Sequence, residues 1–139
     1  MSDSEGATIV PIGRVVSALT DPATAPRQGD EGGPPASIIL EPGVRAAAVG
    51  ISPGNRLVVL TWLHLADRTV LRVHPRADRG RPKAGVFSTR SPDRPNPIGL
   101  HTVTVTAVTE GRINVDALEA VDGTPVLDIK PVLGDVDER

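Results

Sequence analysis

The clearest alternation in the chain runs from His101 to Val108 (HTVTVTAV). Val103, Val105 and Ala107 fall on one face and Thr102, Thr104 and Thr106 on the other, the period of two expected of a strand with one wet side. Arg56 to His64 (RLVVLTWLH) is nearly continuous in apolar residues, which predicts a strand buried on both faces. Thr69 to His74 (TVLRVH) alternates in part and reads as its hairpin partner. Ala36 to Leu40, Ala84 to Ser88, Arg112 to Ala117 and Val126 to Ile129 add shorter strands. Thr8 to Val16 holds β-branched residues around Pro11 and Gly13, the pattern of an edge strand. Val44 to Val49 fits either a helical turn or a strand. Turns are expected at Glu41-Pro42-Gly43, Ile51 to Asn55, Glu110-Gly111 and Asp122-Gly123. Roughly eight short strands, with a turn about every ten residues, predict an all-β fold. We expect a small β-barrel of short, mostly antiparallel strands, with residues 1–139 as one domain.

Two stretches stand outside this pattern. Ser17 to Pro35 is a long loop rich in Pro and Gly, and loops of that length in compact domains are usually functional or disordered. Gly85 to Leu100 reads GVFSTRSPDRPNPIGL. Ser91, Arg94 and Asn96 each precede a proline and are pushed out of the helical region, and the prolines give no ladder N–H. The span is therefore expected to be an ordered, extended loop between the strands Ala84 to Ser88 and His101 to Val108. Such a loop loses little entropy when it orders around a ligand. Its polar side chains suit either a binding loop or a rigid connector.

Composition narrows the chemistry. The chain has no cysteine, one Trp, one Phe and no Tyr. Disulfides and thiolate metal sites are excluded, the core must be Val, Leu, Ile and Ala, and stacking of several bases on aromatic rings has little to draw on. No apolar stretch nears the ~20 residues that cross a bilayer, and MSDSEGATIV lacks the look of a secretory signal, so no membrane association and a cytoplasmic location are expected. The net charge is −2, yet Asp67 to Arg94 alone carries eight basic and three acidic residues. That stretch is either an anion-attracting stripe or a solvated arginine-rich surface.

Neither a Gly-x-Gly-x-x-Gly nor a Walker loop is present, which argues against a doubly wound nucleotide-binding fold. His64, His74 and His101 have no metal-like spacing, so no metal is expected. His64 follows an apolar run and reads as a cap on a buried strand. Asp128 and Lys130 alternate with Leu127 and Ile129 and point to one face, as a substrate-holding pair or an exposed ion pair.

The stretch TRSPDRPNPIGL resembles the signature of the TsaA/TrmO family of small S-adenosylmethionine-dependent methyltransferases. Two further blocks of that family are similar here, PRQ at Pro26 to Gln28 and DGTPVLDIKP at Asp122 to Pro131. The resemblance implies a small β-barrel that dimerises and binds S-adenosylmethionine near the subunit interface. It places cofactor contacts on Pro26, Arg27, Gln28, His64, Leu65, Arg90, Leu100, Ala117, Leu118 and Glu119. In that setting Glu119 accepts from a ribose hydroxyl or an amino group. Arg90 or Arg27 pairs with the methionine carboxylate. Leu65, Leu100 and Leu118 flank the adenine. The family activity is methylation of the exocyclic nitrogen of threonylcarbamoyl-adenosine beside the tRNA anticodon, with Asn96, Asp122, Asp128 and Lys130 as polar candidates for orienting the acceptor. Val132 stands where the family often has Tyr. The expected partners are therefore a second copy of the chain and either tRNA or a small-molecule amine. A third reading is a cofactor-binding protein without transferase activity.

Overall fold

The computed structural model describes residues 6–21, 33–75 and 78–134. Its strands are β1 (Gly13–Val16), β2 (Ala36–Leu40), β3 (Arg56–Trp62), β4 (Arg72–Val73), β5 (Ala84–Gly85), β6 (Ile98–Thr109), β7 (Arg112–Val115) and β8 (Pro125–Pro131). Six of them pair antiparallel in the order β1-β2-β7-β6-β3-β8. β8 also pairs with β1, so the sheet closes into a barrel with no free edge to cover. β4 and β5 form a separate two-stranded ribbon.

Pleating sends alternate residues inward. Val15, Ile38, Leu40, Leu57, Val59, Val103, Val105, Ile113, Val115 and Val126 fill the interior, joined by Leu118 and Ala120 from the loop after β7. These side chains are small and branched, which suits the narrow bore of a six-stranded barrel. Gly111, at φ +72°, makes the tight β6–β7 turn, a conformation that L side chains rarely adopt.

Several elements differ from the sequence reading, each for a local reason. The first strand is only Gly13–Val16, because Pro11 has no N–H for a ladder. Pro42–Ala48 is a 3₁₀ helix with Pro at its start. β3 stops at Trp62 and alternates between buried and half-buried positions, since a barrel strand has one interior face. Its partners are β6 and β8, whereas Thr69 to His74 supplies only β4, which pairs with β5. Val86–Ser88 is a 3₁₀ turn, not strand. Ile98, Gly99 and Leu100, placed in the loop from sequence, belong to β6, because Pro97 is the last residue without an N–H. Thr106 interrupts the even alternation at a register shift between Val105 and Ala107. β7 ends at Val115 and β8 runs to Pro131.

Ile38 lies wholly inside the barrel. Ile38→Ala should lower unfolding free energy by about 2–5 kcal/mol in urea titration without changing the m-value. Val49→Ala, at a position 87% exposed, should stay within about 0.5 kcal/mol of the parent.

Candidate functional site

The proline-rich loop between β5 and β6 is fastened by two arginines. Arg94 reaches back under its own loop and donates Nη2 to the carbonyls of Val86 and Thr89, the latter at 2.7 Å. Arg68, from the segment after β3, donates Nε to the Pro95 carbonyl at 2.7 Å and Nη2 to Asn96 Oδ1 at 3.0 Å. Its guanidinium also lies 4.9 Å from the centroid of the Trp62 ring, a cation–π contact. Leu63 N donates to the Pro97 carbonyl at 2.8 Å. Asp93 Oδ1 accepts from Asp67 N at 2.8 Å. The Val86, Thr89 and Pro95 carbonyls of the loop are thus taken by arginine donors, and that of Pro97 by a backbone amide.

The same loop forms one wall of an open cleft of ≈ 780 Å³. The β4–β5 ribbon and the turn at 78–83 form the other. Arg72, Arg79, Arg81, Lys83 and Arg90 line it, with His74 and the ring of Phe87, which is 86% exposed. Among the described lining residues the single carboxylate, Asp93, is the acceptor already engaged by Asp67 N. The cleft therefore presents an excess of cations to anything that enters it.

A second polar constellation lies inside the barrel. Thr61 on β3 and His101 on β6 both point inward, the parity of Val59 and Val103. Thr61 Oγ1 and His101 Nε2 are 2.7 Å apart. His101 Nδ1 and Glu119 Oε1 are 2.6 Å apart. A carboxylate only accepts, so Nδ1 carries the proton, and in the neutral ring Nε2 accepts from the threonine hydroxyl. Thr61 is fully buried, and the side chains of His101 and Glu119 are 4% and 7% exposed. Glu119 Oε2 is buried with no hydrogen-bond partner among the described residues.

The residues expected to bind or react fall in distinct settings. Pro26, Arg27 and Gln28 lie outside the described residues. His64 and Leu65 are exposed on the turn after β3, so His64 does not cap a buried strand as its apolar run suggested. Leu100 faces outward on β6, opposite Leu60. Arg90 lines the basic cleft. Ala117, Leu118 and Glu119 follow β7. The Leu118 side chain belongs to the core and offers no surface to flank a ring, because its loop turns into the barrel with Leu118 N bonded to the Pro34 carbonyl. Asp122 Oδ1 accepts from Ser17 N at 3.0 Å, tying this loop to the end of β1. Asp128 and Lys130 form an exposed ion pair at 3.4 Å on the outer face of β8. Asn96 is exposed, with its carbonyl oxygen held by Arg68. Sequence reasoning missed Thr61 and His101 as partners of Glu119, although inward parity with Val59 and Val103 was a usable signal. Among the described residues no group of His, Asp and Glu could hold a metal ion.

Comparison with known proteins fits this arrangement. The profile of the tRNA-methyltransferase O N-terminal domain matches residues 14–138. The chain belongs to the TrmO N-terminal domain family. It is 44% identical over 137 residues to a probable S-adenosyl-L-methionine-binding protein of Methanothermobacter thermautotrophicus, covering 99% of this chain and 97% of that one. An S-adenosyl-L-methionine-binding protein of Archaeoglobus fulgidus is 39% identical over 127 residues, covering 91% and 90%. Among solved structures, TrmO from Pseudomonas aeruginosa superposes with a TM-score of 0.75 at 27% identity, and another TrmO crystal structure with 0.77 at 28%. Both matches cover 96% of this chain, which spans 59% and 61% of those TrmO chains.

Two outcomes follow from the loop geometry. Arg94→Ala removes the donor from both the Val86 and Thr89 carbonyls, so it should cost about 1–3 kcal/mol of stability in urea titration. Asp67 Oδ1 accepts from the Thr69 hydroxyl at 2.6 Å and the Thr69 amide at 2.8 Å, and these bonds, the hydroxyl foremost, hold its pKa below the ordinary carboxylate value. The folded pKa is the lower one, so this contribution is present above the ordinary value and fades as pH falls through the folded value. Carboxyl NMR titration should show Asp67 below the ordinary value, and Thr69→Ala should move it back up.

Proposed function

We propose that this protein is an S-adenosylmethionine-dependent N-methyltransferase whose acceptor is threonylcarbamoyl-adenosine beside the tRNA anticodon. The observation that carries the cofactor assignment is Glu119 Oε2. It is a buried carboxylate oxygen without a donor, and a buried acceptor left open is costly unless something supplies the missing hydrogen bond. S-adenosylmethionine has such donors in its ribose hydroxyls and its ammonium group, so the residues present fit the group. Family membership and the cofactor-binding relatives support the same reading.

Glu119 would accept from the cofactor, and Arg90 would pair with its carboxylate. His64, Leu65, Leu100 and the main chain at Ala117 and Leu118 would complete the contacts, together with the Pro26-Arg27-Gln28 block. When bound, the cofactor supplies a methyl group activated on a sulfonium. The chain's own contribution is alignment, which for transfer to an amine is the larger part of the task. Asn96 suits the orienting role best. With Oδ1 held by Arg68, its exposed amide keeps Nδ2 as the donor. Asp122, Asp128 and Lys130 are the remaining candidates.

The basic cleft supports an RNA acceptor. With Arg90 given to the cofactor, Arg72, Arg79, Arg81 and Lys83 match phosphates, and Phe87 offers one ring for an unstacked base. The outward face of β3 and β6 carries Leu60, Trp62, Ile98 and Leu100, with Ile98 and Leu100 42% and 48% exposed. This apolar strip supports a homodimer. No helix among the described residues is long and apolar enough to cross a membrane, and a cytoplasmic location accompanies the proposed substrate.

Calorimetric titration with S-adenosylmethionine should give micromolar binding that Arg90→Ala abolishes. A folded parent without binding would overturn the assignment. For the acceptor, tRNA binding should weaken linearly on a log–log salt plot, and replacing Arg79 and Arg81 together by Ala should flatten the slope by about 1–2. Transfer of the methyl group to threonylcarbamoyl-adenosine, read by nucleoside mass spectrometry, completes the test. Transfer to a metabolite amine alone would favour the small-molecule reading.

A further inference from the structure

We propose that Thr61 and His101 are positioning residues for Glu119. In this assignment the buried relay Thr61 hydroxyl–imidazole–carboxylate fixes one oxygen of Glu119 and leaves Oε2 as the open acceptor for the cofactor. The assignment rests on the cofactor reading above.

Four observations carry it. The three side chains are buried and joined at 2.7 and 2.6 Å. The contacts give the relay one direction in the neutral ring, with the carboxylate accepting from Nδ1–H and the hydroxyl donating to Nε2. Among the described residues, Oε2 is the one buried atom of the network without a partner. A polar cluster kept only for packing would be expected to fill every acceptor, because unpaired buried groups cost more than an apolar replacement. The open position is at one end only, and that end belongs to the residue facing the cofactor in the proposed function.

The fourth observation explains a residue of the loop. Gly99 pairs with Thr61 across β3 and β6. A Cβ on Gly99 would lie 2.4 Å from Thr61 Oγ1 and 2.6 Å from His101 Nε2. The imidazole leans over residue 99 to reach the hydroxyl, and only glycine leaves that space. The start of β6 is therefore shaped by the relay. Pro97 starts β6 in register, Gly99 clears the path, and His101 delivers the proton.

The test has two readouts. The first is the nitrogen NMR spectrum of His101 in the wild-type protein without cofactor, which needs no substitution. A single Nδ1–H tautomer with Nε2 accepting is expected, and an Nε2–H tautomer would overturn the relay. The second is cofactor affinity by calorimetry in Thr61→Val and Thr61→Ser. Valine keeps shape and removes the donor to Nε2, so affinity should fall about tenfold and the Nε2 resonance should shift, while Glu119 still holds the proton on Nδ1. Serine restores the hydroxyl and should bring affinity to within about twofold of wild type and return the Nε2 resonance to its wild-type position. A folded Thr61→Val protein with wild-type affinity would overturn the positioning role while leaving the cofactor site intact. A wild-type protein with the fixed tautomer but no affinity for S-adenosylmethionine would overturn the cofactor reading and the positioning role with it. The affinity and the Nε2 resonance together separate these results from a general loss of stability, which would move neither in proteins that remain folded.

Discussion

β3 is the strand on which the rest depends. It is paired along its length with β6 on one side and with β8 on the other, and β8 carries the ring back to β1. Because pairing fixes parity, it decides at once which residues of β3, β6 and β8 face inward. Leu57, Val59 and Thr61 enter the bore from β3, opposite Val103, His101 and Gly99. The register shift between Leu60 and Thr61 on the β8 side sets Val126 beside Thr61. The polar relay thus lies in the same layer system as the apolar core, held by the same ladder. A single barrel delivers both packing and the buried acceptor.

The proline-rich loop meets a different constraint. Prolines cannot join a ladder, so the carbonyls around them need donors from elsewhere. Arg68 and Arg94 supply these donors and are consumed by the fold. Arg72, Arg79, Arg81, Lys83 and Arg90 remain for the cleft. Arginine serves both tasks because its planar fork bonds two oxygens at once and its charge is permanent. The overall charge of −2 conceals this local excess, and it is the local field that a polyanion meets on approach.

The family match adds a scale to these features. The chain belongs to the TrmO N-terminal domain family, and 96% of it is covered by the match to solved TrmO chains. Val132 stands on the outer part of the fold just after β8, with its N–H bonded to the Arg56 carbonyl. The aromatic ring that does line the cleft is Phe87.

The sequence by itself determined the class of fold. Val/Thr alternation in β6, the ASIIL run of β2 and regular turn signals are local properties, and period and propensity express them directly. It also marked the proline-rich loop, since proline restricts its own φ and its neighbour's conformation without help from the fold. What it could not supply was pairing. Thr69 to His74 follows β3 closely in sequence and still does not pair with it, because the closed ring gives both edges of β3 to β6 and β8. The same limit hid the relay. Thr61, His101 and Glu119 come from three separate segments, and nothing local in any of them names the other two. Only closure of the barrel, which forces inward-facing side chains into one narrow space, brings hydroxyl, imidazole and carboxylate within hydrogen-bond distance.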